Sequence, residues 1–73
     1  MKPYPKEFEP LFQKYFNCSL RKFFHPMFGF DIVRLDDYMK QRFGYIEDGK
    51  TSLSDFIAAK FDANAVSLVK SLL

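Results

Sequence analysis

Leu35-Asp36-Asp37-Tyr38-Met39-Lys40-Gln41-Arg42-Phe43-Gly44 is echoed, eighteen residues further on, by Leu53-Ser54-Asp55-Phe56-Ile57-Ala58-Ala59-Lys60-Phe61-Asp62. The two stretches share, in register, an aliphatic residue, an acid, an aromatic, a second aliphatic, a base and a phenylalanine. In each, the apolar side chains fall at i, i+3, i+4 and i+8, which is one face of a helix with 3.6 residues per turn. Two helices with a face to bury predict an all-α fold: a single compact domain over residues 1–73, built of four to five short helices in a small orthogonal bundle. The likeness does not require a duplication, since any two amphipathic helices that bury the same face show it.

Working outward, Asp31 stands where a helix N-cap would, ahead of Ile32, Leu35, Met39 and Phe43 on one stripe, so the longest helix is expected over 31–43. A short strand over 28–34 competes, because Phe-Asp-Ile-Val-Arg-Leu is rich in β-branched residues. It is set aside because no second strand is evident for it to pair with. Gly44 closes the helix, Asp48-Gly49 marks a turn, and Ser52 with Asp55 three residues later reads as a capping box for a helix over 53–61. Asp62 or Asn64 then caps a last helix to about Leu72. Its apolar residues Ala65, Val66, Leu68, Val69 and Leu72 cover more than half its circumference and place it centrally.

Toward the N-terminus, Met1 to Pro5 contains Pro3 and Pro5 and reads as an extended arm. Phe8, Leu11, Phe12, Tyr15 and Phe16 recur at helical spacing, with Pro10 in the first turn of a helix running to about Asn17 and residues 5–9 able to form a separate turn. Asn17-Cys18-Ser19 fits the N-glycosylation acceptor pattern, but a helix end followed by a Ser19 cap accounts for it. Residues 20–24 add one helical turn before His25-Pro26 stops it. The expected core is Phe12, Phe16, Leu35, Met39, Phe43, Phe56, Ile57, Phe61, Val66 and Val69.

Composition narrows the function classes. One cysteine, no apolar run of about 18 residues and no secretory h-region point to a soluble, cytoplasmic protein of a reducing compartment, without a membrane role. A net charge of +2, from 11 bases and 9 acids, is too mild to argue for nucleic acid by itself. The basic excess lies at the front, where Lys2, Lys6, Lys14, Arg21 and Lys22 face only Glu7 and Glu9 before residue 28.

No catalytic, cofactor or metal set stands out, and no small-molecule substrate is evident, so the chain is expected not to be an enzyme. Gly44-Tyr45-Ile46-Glu47-Asp48-Gly49-Lys50-Thr51 satisfies the phosphate-loop pattern G-x-x-x-x-G-K-[ST]. The pattern needs a preceding buried strand, and here Glu47 and Asp48 would meet the phosphates. The helix pair across Asp62 resembles a helix-turn-helix, yet its second helix offers only Asn64, Ser67, Lys70 and Ser71 on the polar face. His25 has no ligand partner near it in sequence and reads as a turn residue; Cys18 reads as a small buried side chain.

What remains is a surplus of rings. Ten Phe and four Tyr are more than a domain this small is expected to enclose, and several lie in segments broken by proline and glycine. The expected function is therefore a protein-binding module, an adaptor, inhibitor or self-associating subunit. Its expected partner-binding residues are Tyr4, Phe8, Arg21, Lys22, Phe23, Phe24, Phe28 and Phe30. Nucleic-acid binding by the same basic aromatic region, where Lys14, Arg21, Lys22 and His25 interleave with rings, is the alternative.

Overall fold

The computed structural model describes residues 3–73. Lys6–Phe8 forms a 3-10 turn that runs into helix α1 (Glu9–Phe16), with Pro10 in its first turn, where a missing N–H costs nothing. Asn17 ends α1 in the left-handed region at φ 57°, a conformation asparagine tolerates better than most residues. A second 3-10 segment (Leu20–Phe23) follows, opened by Ser19, whose hydroxyl accepts from the Arg21 N–H at 3.2 Å. Helices α2 (Ile32–Arg42), α3 (Leu53–Lys60) and α4 (Ala63–Leu72) complete the chain.

Each of these helices starts at the acceptor its sequence announced. Asp31 accepts from the Arg34 N–H at 3.0 Å, Ser52 from the Asp55 N–H at 3.1 Å, and Asp62 from the Ala65 N–H at 2.9 Å. Gly44 leaves α2 at φ +78°, and the Tyr45 N–H returns to the Met39 carbonyl at 3.1 Å.

The fold is mostly helical but not all-α. Strands β1 (Phe24–His25) and β2 (Gly29–Phe30) form an antiparallel hairpin, with Phe24 opposite Phe30 and His25 opposite Gly29. The strand set aside over 28–34 is thus present in part, and its partner is the segment expected to end a helical turn. Pro26 sits in the three-residue turn, and Gly29, at φ +91°, closes it in a conformation open to glycine. A hairpin of two-residue strands has little stability of its own. It is braced by the Asp31 N–H donating to the Phe23 carbonyl, by His25 Nε2 donating to Asp31 Oδ2 at 2.9 Å, and by Phe30 against the core.

The rings pack on one another. Phe12, Phe16, Phe61, Phe43, Tyr38 and Phe23 form a closed circuit in which each neighbouring pair has centroids 4.8–5.8 Å apart, mostly edge to face. The circuit joins α1, the residues that cap α3 and α2, the α2 helix and the second 3-10 segment. Leu20, Leu35, Met39, Ile57, Ala65, Leu68, Val69, Leu72 and Tyr45 complete the buried set. Phe43, Phe56, Phe61 and Val66, expected in the core, are partly buried against it. The radius of gyration, 11.9 Å, is close to the roughly 11 Å of a compact chain of this length, and Tyr4 lies against the body; the first two residues of the expected extended arm over 1–5 lie outside the described residues.

Truncating a ring of the circuit opens a cavity and breaks at least two aromatic contacts at once, three each for Phe12 and Phe23. Phe12→Ala and Phe23→Ala are each expected to cost about 3–5 kcal/mol in urea unfolding, against less than about 0.5 kcal/mol for Phe28→Ala at an exposed site.

Candidate interaction surface

Seven of the eight predicted partner-binding residues separate into three environments, and the eighth, Lys22, lines a cleft beside them. Phe23 lies in the core, 2% exposed, and Phe30 is partly buried against Phe12 and Phe23. Phe8 is also partly buried on the core. Phe23 and Phe30 lie beneath the hairpin tip, whereas Phe8 lines a separate depression between α1 and α4.

Tyr4 and Arg21 are tied into a second arrangement, centred on Glu9. The Glu9 carboxylate at the start of α1 accepts hydrogen bonds from the Tyr4 hydroxyl, from Gln13 Nε2 at 3.0 Å, from Ser19 Oγ at 3.1 Å and from the Leu20 N–H at 2.9 Å. One side chain thereby gathers the N-terminal arm, α1 and the second 3-10 segment. The Arg21 guanidinium lies over the Tyr4 ring at 4.1 Å, and Tyr4 meets Phe24 edge to face at 5.6 Å. Partial burial pushes the Glu9 carboxyl up, but the donors led by Tyr4 outweigh it and hold it at about 2. Tyr4 is pushed up to about 12 by burial first and then by Glu9.

The third environment is open. Of the fourteen Phe and Tyr rings only Phe28 is exposed, at 82%, and Met27 beside it is 67% exposed. Both sit at the hairpin tip. Val33, in the first turn of α2, is 75% exposed, so among the described residues three of the six large exposed apolar side chains fall within seven residues of chain. Asp31 fixes the base of the tip, capping α2 with Oδ1 and holding His25 with Oδ2; these bonds, from His25 first, keep its carboxyl below the usual range.

The two elements joined by the hairpin wall a cleft of about 330 Å³. Phe23 and Tyr38 form its apolar lining, and Lys22, Arg34, Asp37, Gln41 and Arg42 its polar one. Arg34 Nη1 donates to the Lys22 carbonyl at 2.9 Å, while Tyr38 points its hydroxyl to the Phe16 carbonyl at 2.7 Å. Among the described residues none of Lys22, Arg34 and Arg42 forms an ion pair. Met27, Arg34 and Arg42 were missed from sequence. The i, i+4, i+8 spacing of Arg34, Tyr38 and Arg42 was the available signal for the cleft.

Elsewhere the chemistry is spent internally. In Gly44–Thr51 the Asp48 carboxylate accepts from the Lys50 and Thr51 N–H groups at 2.8 and 3.2 Å, the donors a phosphate would need. The Tyr45 hydroxyl donates to the Thr51 carbonyl at 3.0 Å. Burial pushes the half-buried Cys18 thiol up, by more than the nearby Tyr38 hydroxyl and Lys22 lower it, which is the wrong direction for a nucleophile. Among the described residues no group of three or more His, Cys, Asp or Glu is placed to hold a metal ion, and no helix is long and apolar enough to cross a membrane. Comparison of the chain with protein-family models, with curated proteins and with solved structures returns no match.

The Glu9 arrangement carries its own pH signature. A depressed carboxyl stabilises the fold above its ordinary value of 4.5, and that contribution drains away as pH falls from there through about 2. The raised Tyr4 hydroxyl acts in the opposite sense, its contribution complete below 10 and lost as pH rises through about 12. Urea unfolding should therefore show an acid slope that Glu9→Gln flattens, with Glu9→Ala about 1.5–3 kcal/mol less stable than the parent at neutral pH. Calorimetric titration with ATP and magnesium is expected to show no saturable binding, with Lys50→Ala indistinguishable from the parent.

Proposed function

We propose that this chain is a small, non-enzymatic protein-binding module that presents the Met27-Phe28 hairpin tip to an apolar pocket of a protein partner. The observation that carries this reading is the exposure of Phe28 at 82% when every other ring is drawn inward. Leaving a phenyl ring in water forgoes the burial that stabilises a small domain most, and such rings anchor the centres of protein interfaces. Methionine beside it adapts to an irregular pocket. The tip is also held in place before binding, by Asp31 and by Phe30, so less conformational freedom is lost on association. Arg21 and Lys22, exposed just ahead of β1, supply a basic rim that steers an acidic surface. Tyr4, Phe24 and Phe30 act as the base on which the tip stands.

The test is capture from the source cell on the tagged full chain, with nuclease, at moderate and high salt. Sedimentation of the chain alone reads self-association. A protein retained at both salts, or a dimer, that is lost in Phe28→Ser and in Met27→Ser while the urea midpoint stays unchanged is the expected result. Capture indifferent to Phe28→Ser would overturn it. Recovery of nucleic acid alone without nuclease, lost at high salt and in the Arg21→Ala/Lys22→Ala double variant, would instead establish the nucleic-acid alternative.

A further inference from the structure

We infer that the cleft between the second 3-10 segment and α2 binds an extended acidic segment of the partner, with two carboxylates four residues apart lying against Arg34 and Arg42. This deepens the reading of the chain as a protein-binding module and rests on it. The cleft, about 330 Å³, has three cations and one acid, Asp37, among its lining residues, and among the described residues none of these cations is paired with a carboxylate. Arg34 is held by its bond to the Lys22 carbonyl, which occupies one N–H and leaves the rest of the fork for a ligand.

The spacing selects the ligand. Arg34 and Arg42 are eight residues apart on one helix, a rise of about 12 Å. A compact oxyanion is too small to span a row of that length and engages one end of it. In an extended peptide, residues i and i+4 point to the same side and lie about 13 Å apart, matching the row. Asp37 falls between the two arginines in sequence, on the same cleft wall. A nucleic acid carries a phosphate at every nucleotide and would bring negative charge against Asp37, whereas a peptide can place a neutral residue there. The Gln41 amide offers a donor and an acceptor to the peptide backbone, and the partly buried Tyr38 ring gives its apolar atoms a surface.

The test is titration of the isotope-labelled full chain with Ac-Glu-Ser-Ser-Ser-Glu-amide, read by nuclear magnetic resonance at the Arg34 and Arg42 Nε–H signals. Saturable shifts at both, with a Kd below about 1 mM at low salt, are expected. Arg42→Gln, with an unchanged urea midpoint, should weaken the affinity several-fold, and Arg34→Gln/Arg42→Gln, which also gives up the bond to the Lys22 carbonyl and is checked to be folded at the temperature of the titration, by about tenfold or more, as the loss of two charge-assisted contacts implies. Ac-Glu-Ser-Glu-amide should bind more weakly, and Phe28→Ser should bind the longer peptide as the parent does. Absence of saturable shifts, equal binding of the two peptides, binding unaffected by the double variant, or tighter binding of a short oligothymidylate would each overturn the inference. Those outcomes leave Phe28-dependent capture untouched, so failure of the cleft and failure of the module are read separately.

Discussion

Six aromatic rings closed into a circuit constrain everything else in this protein. A chain of 73 residues has more surface than interior, and isolated rings buried against aliphatic neighbours would soon exhaust the space available. Packed edge to face, the rings use one another as walls, and each contact adds about 0.5–1.5 kcal/mol beyond the area it buries. Phe43 and Phe61, equivalent positions in the two similar stretches, meet at 5.1 Å just past the ends of their helices. The circuit therefore sets how α2 and α3 approach as well as how α1 and the second 3-10 segment close over them.

The interaction surface follows from that constraint. With Phe12, Phe16 and Phe23 committed to the circuit and Phe30 leaning on it, the hairpin has only its tip left to expose. Asp31 connects the two regions, since one carboxylate starts α2 and holds His25 of β1. Glu9 does the same for the N-terminal arm, where Tyr4 carries Arg21 on its face and Phe24 at its edge. Two acids, each accepting several hydrogen bonds, thus fix the segments that helical periodicity leaves undefined.

Local signals were the legible part of the sequence. Ser19, Asp31, Ser52 and Asp62 were readable as caps because a cap is a contact across two or three residues, and each makes it. Pro10 marked the start of α1, and Gly44 the end of α2, for reasons confined to one backbone unit. The hairpin was not legible, because strands of two residues are too short to show alternation, and Phe24-His25 reads equally well as the end of a turn. The sorting of rings was hidden too: Phe23 and Phe28 are the same side chain five residues apart, one 2% and the other 82% exposed.

By itself, then, the sequence determined where helices begin and end and which face each one buries, because propensity, capping and periodicity act within a turn or two of chain. Tertiary structure decided which rings meet, and hence which ring is left outside, because that depends on the closing of a circuit among residues up to 49 positions apart, Phe12 to Phe61. It also decided that Lys22 stands across a cleft from Arg34 and Arg42, since only the folding of the hairpin brings the segment before it back against the helix after it. No local rule fixes that return: it is held by the Asp31 N–H on the Phe23 carbonyl and by Arg34 on the Lys22 carbonyl, two hydrogen bonds between partners distant in sequence.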